Sequence, residues 1–483
     1  MDAILGLDAT GQLAALAAKR ISAEELLAAT IRQYEAVNAP LNAVVATDLA
    51  RAKERARAID DHRVKGDALG PLAGLPMTIK DTFDVEGMPA SAGLDQYRHG
   101  KRPDAVVVSH ARTAGAVVWG KTNVPVLAGD FQTFNDVYGV TNNPWDLTRT
   151  PGGSSGGAAA ALATHMTALE IGSDIGGSLR TPASFCGVYS HKPTWGLVSQ
   201  LGHVPPKPGS LAERDLNVVG PMARSARDLR LLLTVIEGAT PSPGMHALPE
   251  LESLRIGVWL DEPAYPLDPE VRTVLEAFAK ELEGAGAHVA SVVSPVDAGA
   301  LLAAYRTLLA STLAADMPPA QLGQMKALGG VSRLALRLGA DPESLLGLPA
   351  AYVSTHLEWM AADEARARVA AQARRLFAQY DVILAPLTPV AAFPHDPTPI
   401  PTRKLTFSTG EKHGCLIMLR WIALATACGL PATAIPAGQT RAGLPVGAQL
   451  IGPRGADAKT IAIAEAIEAR LGGFTAPPKA ATS

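Results

Sequence analysis

The sequence of 483 residues predicts an α/β layer architecture. Two observations predict it, and the composition is compatible with it. Short apolar runs alternate with segments of helical periodicity along most of the chain, as expected for strands covered by helices. One stretch reads as a βαβ unit: Leu254 to Trp259 as a strand, Pro269 to Gly284 as an amphipathic helix, His288 to Val293 as the second strand. A hydrophobic fraction of 47% against a charged fraction of 18% suits a soluble globular protein with a large interior.

Residues 8–60 read as mostly helical. Ser22-Ala-Glu-Glu25 is a capping box, with Ile21 and Leu26 placed as a hydrophobic staple, and Leu26, Leu27, Ile31 and Tyr34 recur at helical spacing. Pro40 is expected to end that helix, and Ala46 to Ala58 to form another. A turn over 70–76 leads into an apolar strand, Met77 to Ile79, that delivers Lys80 and Asp81. Ala105 to Val108 and Ala116 to Trp119 read as helix and then strand. The loop Gly129 to Pro144, with Gly129, Phe131, Phe134 and Tyr138, suits either a substrate pocket or a surface turn. Ser225 to Glu237 is a helix closed by Gly238, and the stretch 241–249 is a flexible connection. Residues 297–375 read as mostly helical. Tyr380 to Ala385, Ala432 to Pro436 and Val446 to Ile451 are buried strands, and Lys459 to Leu471 is a closing helix.

A formal charge of −3, with both signs dispersed and no Lys/Arg block, gives no basic face for a nucleic acid. No uninterrupted apolar run is long enough to span a bilayer, so no membrane partner is expected. The N-terminus lacks a basic region followed by an apolar one, and the three cysteines are scattered. Both features lead to an expectation of a reducing cytoplasm.

The chemistry centres on two glycine-flanked serine clusters, Thr150 to Gly157 and Gly172 to Arg180, separated by the helix former Ala158 to Ala163. Glycines beside a serine let a ligand approach the main chain and leave N–H groups free to face a developing oxyanion. Serine needs a base to become a nucleophile. The eleven histidines show no recognisable Ser-His-Asp spacing, though such a triad is assembled in space. Gly152 to Gly156 fits Gly-x-Ser-x-Gly on Ser154, but no apolar strand runs into it. Gly115 to Thr122 spells a phosphate-loop motif, yet its apolar interior reads as a buried strand. His-Glu-x-x-His and Cys-x-x-Cys are absent, so neither a metal nor another cofactor is called for. A lysine remains as base, if burial lowers its pKa from roughly 10.4 toward neutrality. Lys80 is the best-placed candidate, although a strand-end lysine also suits a salt bridge or a snorkelling side chain.

These residues resemble the amidase signature family. The matching motifs are Pro71 to Asp81, Gly152 to Gly157, Ser173 to Pro182 and Phe185 to Gly187, with Gly429 to Pro436 and Gly443 to Pro453 in the tail. The resemblance covers most of the chain. It implies one compact domain over 1–483, a large mixed sheet covered by helices, in which helices of 1–65 pack on a signature core at 70–230. It also implies a Ser-cisSer-Lys triad of Ser178 as nucleophile, Ser154 on a cis peptide as proton relay and Lys80 as base. The backbone N–H groups of Ile175, Gly176, Gly177 and Ser178 would form the oxyanion hole, with Ser155, Asp174 and Arg180 in support. The expected reaction is hydrolysis of a small-molecule linear amide without a cofactor, and many members are homodimers.

Smaller differences bear on the substrate. Where the tRNA-dependent amidotransferase subunits of this family carry a Ser-Thr-Glu-Asn pattern, this chain has Gln132 to Asn135 with Phe134 replacing the acid. Gln200 to Pro206 also differs from those subunits, which favours a free-standing hydrolase. The alternatives are a glutaminase-type amidotransferase subunit, or a carbamate, urea-type or lactam hydrolase using the same triad.

Overall fold

The strands of the computed structural model, which describes residues 3–100, 102–239 and 248–478, build one sheet and two small hairpins. In chain order they are β1 Val44–Thr47, β2 Pro76–Lys80, β3 Val117–Thr122, β4 Phe134–Asn135, β5 Gly139–Val140, β6 Leu169–Asp174, β7 Tyr189–Lys192 and β8 Val218–Ala223. There follow β9 Arg255–Asp261, β10 His288–Val293, β11 Val382–Pro386, β12 Lys404–Thr406, β13 Lys412–Gly414, β14 Ala432–Gln439 and β15 Pro445–Ile451. Eleven of them form a sheet in the order β1-β3-β2-β6-β8-β7-β14-β15-β11-β9-β10, while β4–β5 and β12–β13 stand apart.

The sheet is mixed. β3, β2 and β6 run parallel, as do β11, β9 and β10, and antiparallel pairs join the two groups. Both faces are buried. Along β11, Val382 and Leu384 enter one apolar core and Ile383 and Ala385 another, the two-residue period of a pleated strand. The first core includes the N-terminal helices through Leu16, Leu26, Leu27 and Ile59; the second holds Trp259, Tyr305 and Trp421.

Most elements lie where periodicity puts them, including the βαβ unit, whose strands β9 and β10 pair in parallel. The Ser22–Glu25 capping box is present. Three details differ. The first long helix, Ala23–Leu41, carries Pro40 within its last turn and ends at Asn42 in the left-handed region. A proline there removes only one ladder bond near an end already short of them. The next helix starts at Leu49, not Ala46, because Val44–Thr47 pairs with β3 as an edge strand. β7 and β8 do not follow from the pattern, being short and, in β8, interrupted by Gly220 and Pro221. The phosphate-loop lettering falls in β3, whose residues are all buried, so no loop exists there to wrap a phosphate. The connection over 241–249 lies largely outside the described residues. Cys186, Cys415 and Cys428 are buried and unpaired.

Candidate active site

Parallel strands β2 and β6 place their carboxyl ends side by side, with Ile79 opposite Ile171, so Lys80 and Ser173 emerge at the same edge of the sheet. Ligands of open α/β sheets bind at such carboxyl edges. Beyond β6 the chain turns through residues 175–179 into the helix Arg180–Cys186. Gly177 takes φ +93 in that turn, a conformation that favours glycine. Ser154 arrives from the other cluster, one residue ahead of the Ser155 cap of helix Gly156–Ala163. The Gly153–Ser154 peptide is cis. A Cβ on Gly153 would run into the carbonyl oxygens of Asp130 and Gln132, so only glycine lets Ser154 sit this deep.

Lys80 is 0% exposed, and its Nζ lies 2.7 Å from Ser154 Oγ and 2.9 Å from Ser173 Oγ. Among the described residues no carboxylate makes an ion pair with it. Burial therefore dominates, lowering its pKa to about 7 against the opposing pull of Asp174 and Glu170. Glu170 itself, buried beside Thr78 and Thr122, is pushed up to about 8 by burial. Ser178 and Ser154 line one cavity of about 290 Å³ together with Ser173 and His203. The two serine clusters are also tied through the backbone, Ser155 N donating to Ser178 O at 3.2 Å.

No sequence pattern singles out His203, yet it completes this network. Its Nδ1 lies 2.6 Å from Pro205 O and its Nε2 2.8 Å from Ser173 Oγ. A carbonyl only accepts, so Nδ1 carries the hydrogen. Burial and the nearby Lys80 charge push the ring down to about 3, which leaves it neutral and makes Nε2 an acceptor. Ser173 therefore donates to His203 and accepts from Lys80. The orientation leaves the lysine lone pair free for the Ser154 hydroxyl.

Asp174 and Arg180 are wholly buried and form a two-point ion pair, Nε–Oδ2 and Nη2–Oδ1 both at 3.0 Å. Asp174 also accepts from Gly177 N at 2.9 Å and Leu179 N at 3.2 Å. Burial works against its charge, but the Arg180 guanidinium and these N–H groups hold its carboxyl below the usual range. Arg180 further reaches Gln449 Oε1 at 3.0 Å and Thr426 Oγ1 at 2.7 Å, linking the turn to the C-terminal strands. Of the four N–H groups expected to face an oxyanion, that of Gly177 is thus already engaged by Asp174. Ser155 Oγ is buried without a hydrogen-bond partner among the described residues.

A second cavity of 420 Å³ opens from Ser178 and is walled mainly by apolar side chains. Gly129 and Phe131 line it, as expected of pocket residues. Phe134 and Tyr138 line neither cavity; Phe134 lies in β4, and the ring of Tyr138 stacks under Arg98 at 5.6 Å. Besides Phe131, the pocket's aromatic rings are those of Tyr305 and Tyr352 on the helical segment. Among the described residues no group of His, Cys, Asp or Glu is placed to hold a metal ion, and no helix is long and apolar enough to cross a membrane.

Comparison with known proteins identifies the family. The family model described as Amidase matches residues 25–461. Among curated relatives, the glutamyl-tRNA(Gln) amidotransferase A subunit from Anaeromyxobacter sp. (strain K) is 33% identical, with 98% of each chain covered. Its counterpart from Moorella thermoacetica is 33% identical over 93% of each. Among solved structures, a bacterial aryl acylamidase superposes with a TM-score of 0.79 at 25% identity, covering 96% of both chains. A 6-aminohexanoate cyclic dimer hydrolase superposes at 0.75 and 27% identity, covering 96% of this chain and 97% of its own. With a family model spanning most of its length and relatives one-third identical end to end, this chain belongs to the amidase signature family of enzymes acting on carbon–nitrogen bonds.

Proposed function

We propose that this chain is a free-standing amidohydrolase in which Ser178 is the nucleophile, Ser154 the relay and Lys80 the base. The observation that carries the reading is a fully buried amine lying 2.7 Å from one serine and 2.9 Å from another, with its pKa brought to about 7. Ser178 Oγ attacks the amide carbonyl. Its proton passes to Ser154 Oγ, whose own proton moves to the lone pair of Lys80. The oxyanion is met by the N–H groups of Ile175, Gly176 and Ser178, aimed before the charge develops. The reverse route protonates the departing nitrogen, breaking the C–N bond and leaving an ester on Ser178. Water, deprotonated along the same path, then releases the acid.

In this mechanism His203 is a positioning residue, since it keeps the Ser173 hydrogen away from the Lys80 lone pair. His203→Ala is expected to lower kcat by about ten- to a hundredfold, the worth of a hydrogen bond to an ionising group, with KM little changed. An unaltered kcat in a folded variant would remove His203 from the proton path.

The substrate reading is an amide with an apolar or aromatic group. Supporting it are the apolar wall of the 420 Å³ cavity, within the range of small-molecule pockets, and the likeness to an aryl acylamidase. A second reading, a glutaminase-type component of a multi-chain amidotransferase, is supported by the names of the curated relatives. Purified alone and given anilides, alkyl amides, a lactam and glutamine, the chain is expected to turn over anilides at least about tenfold faster than glutamine in kcat/KM. Glutamine as best substrate, or activity only with a co-purifying partner, would favour the second reading.

A further inference from the structure

One face of helix Ala298–Ala314 walls the 420 Å³ cavity, through Leu302, Tyr305, Arg306, Leu309, Ala310 and Leu313 at three- and four-residue steps. Tyr305 Oη donates to Ile175 O at 2.9 Å, which fixes that face against the turn leading to Ser178. Four charged residues line the same cavity: Asp130, Arg306, Glu343 and Arg420. Three are committed. Asp130 takes both Nη groups of Arg403, at 2.6 and 2.8 Å. Arg420 donates to Glu343 Oε2 at 3.0 Å and to Ala264 O at 2.6 Å.

Arg306 differs. It makes no hydrogen bond or ion pair among the described residues, although it is half-buried against apolar walls. Burial pulls its pKa down, and Glu343 and Asp341 only partly offset that through space. Asp341 is exposed and caps its own turn through Glu343 N at 2.9 Å, while Glu343 belongs to Arg420. A guanidinium with all its donors open, in a pocket where water is a weak competitor, is matched best by a carboxylate, which takes two parallel N–H bonds from the planar fork.

We propose that Arg306 receives a distal carboxylate of the substrate, so that the preferred class is an amide joined through an apolar spacer to an acid. The inference rests on the reading of Ser178 as the reacting centre and deepens it. The spacer lies along Leu302, Leu309 and Leu313, and the acid selects among amides that the apolar wall alone would accept equally.

Binding and turnover separate the two claims. Calorimetric titration of Ser178→Ala would use two matched pairs: glutaranilic acid against pentananilide, with the acid on the acyl side, and N-butyryl-4-aminobenzoic acid against N-butyryl-4-toluidine, with the acid on the amine side. In one pair the acid is expected to bind at least about tenfold tighter than its neutral partner. Adding Arg306→Leu should abolish that preference without weakening the neutral ligand, and adding Arg306→Lys, which keeps the charge but not the fork, should retain part of it. Acids that bind no tighter than the neutral compounds in either pair, or a preference that survives Arg306→Leu, would overturn the proposal. Should the preference hold while the native enzyme hydrolyses none of the four, the Arg306 assignment stands and the hydrolase reading falls.

Discussion

Ser178→Ala is expected to lower amide hydrolysis on the order of 10⁴-fold or more, with the fold intact. The size follows from what the hydroxyl supplies. Without it no bond forms to the carbonyl, and the relay has no proton to carry. What remains is binding and oxyanion contact, which supports only a small residual rate. The substitution should be structurally mild, because Ser178 is held by its backbone, its carbonyl accepting from Ser155 N at 3.2 Å. Steady-state turnover of an anilide and covalent labelling by a fluorophosphonate would both read the loss. Labelling that persists at another serine, or activity within tenfold of the native enzyme, would reassign the nucleophile.

Lys80→Met should abolish activity to a similar extent, since residues acting as one relay do not contribute additively. It should also raise stability at neutral pH. The sign follows from linkage. The folded pKa is lowered from 10.5 to about 7, so between those values the unfolded chain binds a proton that the folded chain does not. The contribution of Lys80 to stability therefore rises with pH across that window, and below about 7 its full penalty stands. Methionine fills the site without that penalty but loses the hydrogen bonds to Ser154 and Ser173, for an expected net gain of about 1–2 kcal/mol. Thermal unfolding at pH 7 measures it, and a Tm below that of the native protein would count against a desolvated amine. In the native enzyme kcat/KM should fall on the acid side of about pH 7 as the amine takes up one proton.

Lys80 and the two serine clusters are legible in the sequence because each sits in a local signature, an apolar strand ending in a charge and serines flanked by glycines, while Ser154 and Ser178 within those clusters are singled out by the family resemblance. His203 is not. It lies in a proline-rich loop, and its partner Ser173 stands 30 positions away, so only folding makes the contact visible. Phe134 and Tyr138 mark the limit of composition as a guide. The sequence shows an aromatic loop near the serines, but ring direction depends on packing, and the cavity draws Tyr305 and Tyr352 from helices far along the chain. The same physics governs the fold. The regular strand–helix–strand run at 254–293 declares itself through periodicity, whereas β7, four residues long, acquires its identity only from the neighbours that pair with it.

That pairing has a kinetic side. β7 joins β14, and Arg180 meets Gln449 across 269 positions of sequence, so the half of the sheet carrying the serines is closed by strands synthesised near the end of translation. Contacts of such long range form late and slowly. A nascent chain must leave the ribosome with an open strand edge and an uncovered interior, the state that chaperones shelter. The turn that carries Ser178, tied to Gln449 through Arg180, therefore gains its C-terminal support only when synthesis is nearly complete.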